Sequence, residues 1–184
     1  MWKVKKTFVI AFIIWLIPFL FRVLIVDFPQ VKNNAFAKAE SIETKITKAI
    51  DDGNNHNAFL LLFINNIKGC TINVIGGFLL ALPTMFNLSF NGFVAADVFV
   101  NAYNSGFSIC NILKTTLPHS FELIGFWLSG AIGLSIAWKL IQFMRGKDEF
   151  DGLFLKKIVK YACIVVAIII CAAYVEAYIS VKMI

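Results

Sequence analysis

Charge is what this chain has least of. Only 15% of its 184 residues are Asp, Glu, Lys or Arg, against 59% hydrophobic, and the mean hydropathy is +0.79. A soluble domain of this length could not cover so much apolar surface with so few charges, so that class is excluded and lipid is the solvent. Histidine is scarcer still, with His56 and His119 the two in the chain. Intramembrane metalloproteases generally present more, which leaves little support for a metal hydrolase. The four cysteines, Cys70, Cys110, Cys163 and Cys171, have no metal-type spacing. Three of them fall inside apolar runs and read as small buried hydrophobes. A phosphate-binding glycine loop, a nucleophile–base arrangement, an internal repeat and a low-complexity tract are all missing. Any ATP-driven motor working with this protein would therefore be another chain.

What is present is apolar length. Five stretches, at about 8–26, 59–82, 86–103, 117–141 and 158–181, compare with the ~20 residues needed to span a bilayer. The start, MWKVKKTFVIAFIIWLIPFLFRVLIV, has the basic head and apolar centre of a secretory signal. Its core is too long and no small-x-small cleavage site follows, so it reads as an uncleaved first span. The third stretch is short and polar, and charge decides whether it crosses. Lys3, Lys5 and Lys6 form one basic cluster, and Arg145, Lys147, Lys156, Lys157 and Lys160 a second. Such clusters mark cytoplasmic loop ends in a multispan protein, not nucleic-acid patches. An even number of crossings must separate them, so the third stretch crosses, as a hairpin with the second that turns near Pro83. The expectation is an all-α polytopic transmembrane bundle of about five spans, forming one domain over 1–184. It sits in the cytoplasmic membrane with Met1 inside and Ile184 outside.

The outer segment 27–57 carries Ala35, Ala39, Ile42, Ile46 and Ala49 at helical spacing, an amphipathic stripe that Gly53 would end. Such a helix either lies on the membrane or its own bundle, or docks a partner.

This topology puts most intramembrane polar groups in the outer half: Arg22, Asn65, Asn66, Lys68, His119, Glu122 and Glu176. Charges at such depth are costly unless paired or wetted, so one shared cluster is expected. In it Arg22 or Lys68 neutralises Glu122 or Glu176, and the asparagines satisfy the remainder. Asp97 reads as separate, the inner-half partner of Lys68. Pro118 suits a helix first turn, where Glu122 also gains from the helix dipole. Glu122 shares a face with Gly125, Ser129, Gly133 and Ala137, and those four repeat every fourth residue, a stripe that permits close helix approach. Asn66, Gly69, Asn73 and Gly76 make a similar face on the second span, and Ala172, Ala173 and Ala177 surround Glu176. Two sharper readings compete with this structural one. One is a substrate or ion path; the other is a metal site of His119, Glu122 and Glu176, resting on a single H-x-x-E. No cofactor is expected.

FINNIKG in the second span, LPHSFELIGFWLSGAIGL opening the fourth and AAYVEAYIS closing the fifth occur in that order. Together they resemble the stage II sporulation protein M family. The resemblance carries its motif onto Asn65, Asn66, Pro118, His119, Glu122 and Glu176. Ser120 stands where the family often has glycine, a small-for-small exchange. The resemblance implies a membrane subunit of the engulfment machinery, grouped with peptidoglycan-degrading partners, or a relative accompanying circular bacteriocins and peptide exporters. On that footing the expected partners are membrane lipid and a homo-oligomer or hetero-complex with other membrane or cell-wall proteins. No nucleic acid is expected. The expected job is non-catalytic scaffolding, with a transport, export or immunity component as the alternative and an intramembrane metal hydrolase third.

Overall fold

The computed structural model describes residues 4–25, 42–116, 120–149 and 151–179. They form seven α-helices and a short 3-10 turn, with no strands among the described residues: α1 (Val4–Leu24), α2 (Ile42–Asp51), α3 (Asn55–Gly76), α4 (Leu82–Asn104), α5 (Ile109–Thr116), α6 (Ser120–Met144) and α7 (Gly152–Tyr178). The 3-10 turn Gly77–Leu79 extends α3. α1, α3 with its extension, α6 and α7 are each long and apolar enough to cross a membrane. α4, at 23 residues, has the length but a more polar sequence. The all-α polytopic expectation therefore holds.

α6 is the axis of the bundle, packed against α1, α3, α4 and α7. Of its apolar window 61% is buried, against 17–28% for the other three apolar spans. Those other helices also pack on one another, α1 on α4 and α3 on α4 and α7, and leave apolar side chains such as Val9, Ile17, Leu24, Ile75 and Val159 exposed. Contacts between helices fix their directions. Trp15 meets Asn91 and Arg22 meets Asp97, so α1 and α4 run parallel. Asn66 meets Glu122 and Asn73 meets Ser129, so α3 and α6 run parallel. Gly76 faces Thr84, and Gly125 faces Ile169, so α3–α4 and α6–α7 are antiparallel. The five long helices thus alternate, and α1 begins at the end of the bundle opposite to that where α7 finishes. One end carries Lys5, Lys6, Arg145, Lys147, Lys156, Lys157 and Lys160; the other carries α2.

The α3–α4 hairpin turns at Leu80 and Ala81, both at positive φ (54° and 63°), two residues before the expected Pro83. Pro83 instead occupies the first turn of α4, where its missing N–H costs nothing. The expected outer helix is realised in part as α2. Ala49 is buried and Ile46 half-buried against Ala58, Leu62, Ala173 and Ala177, so α2 packs on its own bundle. Ala35 and Ala39 of the stripe lie outside the described residues. At the basic end Lys139 Nζ donates to Asp148 Oδ1 at 2.6 Å and holds that carboxyl below the ordinary aspartate range.

Small residues set the helix separations. A Cβ on Gly133 would land on the Asn73 carbonyl oxygen, with Thr84 Oγ1 2.8 Å away. One on Gly92 would land on the Trp15 carbonyl oxygen. Because backbone atoms rather than flexible side chains stand in the way, neither position can take a larger residue without parting two helices. Gly125, Ser129, Gly133 and Ala137 are all buried, as a close-approach stripe requires. Around Trp127 of α6, Phe12 and Trp15 of α1 make edge-on contacts at 4.8 and 5.3 Å, which fill the space that the glycines leave. Gly133→Leu is therefore expected to lower the detergent-solubilised melting temperature by on the order of 5 °C more than Leu134→Ala, whose side chain is half-buried. Equal or reversed shifts would remove the stripe from the interface.

Candidate functional site

The described hydrogen bonds place the intramembrane polar residues in three groups rather than one cluster. The first is an ion pair between α1 and α4. Arg22, 5% exposed, donates from Nη2 and Nε to Asp97 Oδ1 at 2.6 and 2.9 Å. Asn101, one turn along α4, donates to Asp97 Oδ2 at 3.2 Å, and the guanidinium lies 6.0 Å from the Phe93 ring. This overturns two expectations. Asp97 is not the partner of Lys68, and Arg22 is committed to Asp97 rather than to Glu122 or Glu176. Because α4 runs parallel to α1, Asp97 reaches the level of Arg22, towards the α2 end of the bundle. Lys68 makes no hydrogen bond or ion pair among the described residues and is exposed on α3.

The second group joins α3 to α6. Asn66, 8% exposed, donates from Nδ2 to Glu122 Oε2 at 2.5 Å. Asn65, the other member of the pair, faces outwards. Glu122 is half-buried in the first turn of α6, where the unsatisfied N–H groups favour a carboxylate. Glu176 is buried on α7 among Ala172, Ala173 and Ala177, on the face that meets α3 and α6. Leu117, Pro118 and His119 lie outside the described residues. Among the described residues no group of three His, Cys, Asp or Glu is arranged to hold a metal ion.

The third group lies deepest, where α3, α4 and α6 meet. Asn73, fully buried, donates to Ser129 Oγ at 3.0 Å and to the Phe126 carbonyl at 3.3 Å. Its side-chain oxygen accepts from Asn87 Nδ2 at 2.8 Å, and Asn87 also donates to the Gly69 carbonyl at 3.0 Å. Its backbone carbonyl accepts from Thr84 Oγ1 at 2.7 Å. Asn73 and Ser129 were legible as members of small-residue faces. Thr84 and Asn87 were not singled out, although Thr84, Asn87 and Asn91 recur at spacings of 3 and 4, one helical face of the least apolar span. That face accounts for part of the low hydropathy of α4, with Thr84 and Asn87 bonded to α3 and Asn91 to Trp15 of α1.

Chemically, these groups hold helices together. Asn73, Asn87, Asn66 and Arg22 each bond to a side chain on another helix, and such bonds contribute roughly 0.6–2 kcal/mol apiece. Two buried atoms, Arg22 Nη1 and Trp127 Nε1, have no hydrogen-bond partner among the described residues. The Arg22–Asp97 assignment makes a specific prediction. Arg22→Met is expected to cost about 2 kcal/mol, below the ~3–5 kcal/mol of a fully buried pair because the Asp97 side chain is 42% exposed. Adding Asp97→Leu should recover more than half of the loss, whereas adding Glu122→Gln should simply add to it. Recovery with Glu122→Gln instead would reassign the partner of Arg22.

The family model of stage II sporulation protein M matches residues 9–181. An uncharacterised protein of Methanocaldococcus jannaschii is 28% identical over 127 residues, which cover 67% of this chain and 71% of that protein. No solved structure matches. With the match running from α1 through α7, the chain belongs to the stage II sporulation protein M family.

Proposed function

We propose that the protein is a non-catalytic membrane subunit that scaffolds or recruits partner proteins at the cytoplasmic membrane, with its basic end and Met1 in the cytoplasm and Ile184 outside. One observation carries this reading. The described polar side chains inside the bundle are bonded chiefly to one another across helices, Asn73 to Ser129 and Asn87, Arg22 to Asp97, and Asn66 to Glu122. Polar groups spent in this way rigidify a frame, as a scaffold needs. A catalyst or a conduit would instead keep such groups turned towards a substrate. The orientation rests on the lysines and arginines gathered at one end. The engulfment-type or bacteriocin-accessory roles that the resemblance implies are both scaffolding roles of this kind.

A second reading, as a component of a peptide or lipid export or immunity system, draws on a cavity of about 200 Å³ near the α2 end. Val23, Phe99, Val100, Tyr103, Asn104 and Ile109 line it, an apolar setting suited to an acyl chain or apolar peptide segment. Isolation of the full chain from its own host's membranes after in-membrane cross-linking distinguishes the two. The scaffold reading expects at least one other membrane or cell-wall protein in stoichiometric amount. A co-isolated ATPase would favour export. A fully functional chain recovered alone would contradict recruitment.

A further inference from the structure

The described structure leaves one charge in the middle of the apolar layer without a partner. The apolar helix Asn55–Leu79 carries Lys68 about 20 Å from Asn55 and about 16 Å from Leu79 at the α-helical rise. The hydrocarbon core of a bilayer is about 30 Å thick, and centring this helix in it places Lys68 within a few ångströms of the midplane. Its side chain is exposed, on the face of α3 that also shows Ile64, Asn65, Ile72 and Ile75. Lysines near the ends of spans reach the headgroups by snorkelling, but from the midplane the stem is too short. An ammonium turned to hydrocarbon at this depth costs roughly 2.5–3.5 kcal/mol even on the most lenient insertion scale. Asn65, one turn away on the same face, adds a carboxamide with no hydrogen-bond partner among the described residues. A folded chain that gathers its other intramembrane polar groups inward yet leaves these two facing out has a face shaped for something other than lipid.

We propose that the Asn65–Lys68 face of α3 is a docking surface for a transmembrane helix of another protein that carries an Asp or Glu near the middle of its span. This rests on the recruitment reading above and names its surface. Charge complementarity selects the occupant. Lipid phosphates lie half a bilayer away. A second copy of this chain does not supply the acid: the five long helices hold three, Asp97, Glu122 and Glu176. Asp97 is bonded to Arg22 and Asn101, Glu122 accepts from Asn66, and Glu176 is buried. A two-fold contact centred on this face would moreover set Lys68 beside its own symmetry mate, like charge against like. A carboxylate on a partner helix neutralises the ammonium, and Asn65 supplies hydrogen bonds one turn away. Isoleucines 64, 72 and 75 provide apolar contact around the pair.

The test uses the full chain reconstituted in phosphatidylcholine vesicles at pH 7.5. Energy transfer is measured to single-span Leu/Ala host peptides that carry Asp, Lys or Leu at their centre. The Asp host is expected to associate at least tenfold more tightly than the Leu host. Lys68→Leu should abolish that preference while the chain retains its melting temperature. Lys68→Asp should transfer the preference to the Lys host, a reversal that misfolding cannot imitate. Equal association of the Asp and Leu hosts with the unaltered chain would overturn the proposal, as would a preference that survives Lys68→Leu. Self-association of the chain that disappears in Lys68→Leu would also overturn it, by making a second copy the occupant. No cellular partner is present in the vesicles. A negative result therefore removes this surface alone, whereas failure of recruitment shows only in isolation from native membranes.

Discussion

Gly133 lies so close to the backbone of Asn73 that any side chain there would meet its carbonyl oxygen, and the bundle is organised around this contact. In hydrocarbon there is no hydrophobic force to push helices together, so association depends on contact and on hydrogen bonds between them. Gly133 removes the side chain that would hold α6 away from α3. That lets Ser129, one turn earlier, reach the Asn73 carboxamide, and the short Leu80–Ala81 turn brings Thr84 and Asn87 of α4 onto the same residue. Three helices are thereby fixed in register at one buried point. α1 is then added through Trp15, Trp127 and the Arg22–Asp97 pair, and α7 through Ile169 against Gly125.

This order of dependence separates the polar residues by role. Buried groups at the junction of α3, α4 and α6 are saturated and define the frame. Asn66 and Glu122 tie the middle of α3 to the first turn of α6, and Arg22 with Asp97 ties α1 to α4. Lys68 and Asn65 stand outside the frame, on the lipid-facing side of α3. A frame that satisfies its interior and presents polar groups outward at mid-depth is suited to holding other membrane helices. That is the physical content of the scaffold reading.

Much of the frame was legible in the sequence because its signals are lengths and periods. Four spans follow from hydropathy alone. The parity of the two basic clusters called for a helix where α4 lies; its 23 residues have the length of a span, but it is not among the four helices apolar enough to cross by composition. The stripe Gly125, Ser129, Gly133 and Ala137 followed from its period. What escaped was pairing between elements distant in the chain. Asp97 was assigned to Lys68 because α3 and α4 are sequence neighbours. The alternating topology already makes these two helices parallel; what the sequence does not reveal is that α4 packs against α1, which is what brings Arg22 within 2.6 Å. α5, at eight residues, is too short for periodicity to announce it. Thr84 and Asn87 were overlooked because polar residues in a weakly apolar span read as loop-like until a partner helix is placed against them.

The central claim is that the buried polar side chains work as adhesion between helices, and the Asn73–Asn87 contact carries it most directly. A double-mutant cycle with Asn73→Ala and Asn87→Ala, read from reversible unfolding in mixed micelles, measures that contact free of the cavities that each truncation leaves. The account predicts a favourable coupling of about 1 kcal/mol, within the range of interhelical hydrogen bonds in membranes. Additivity of the two losses within roughly 0.3 kcal/mol would contradict it.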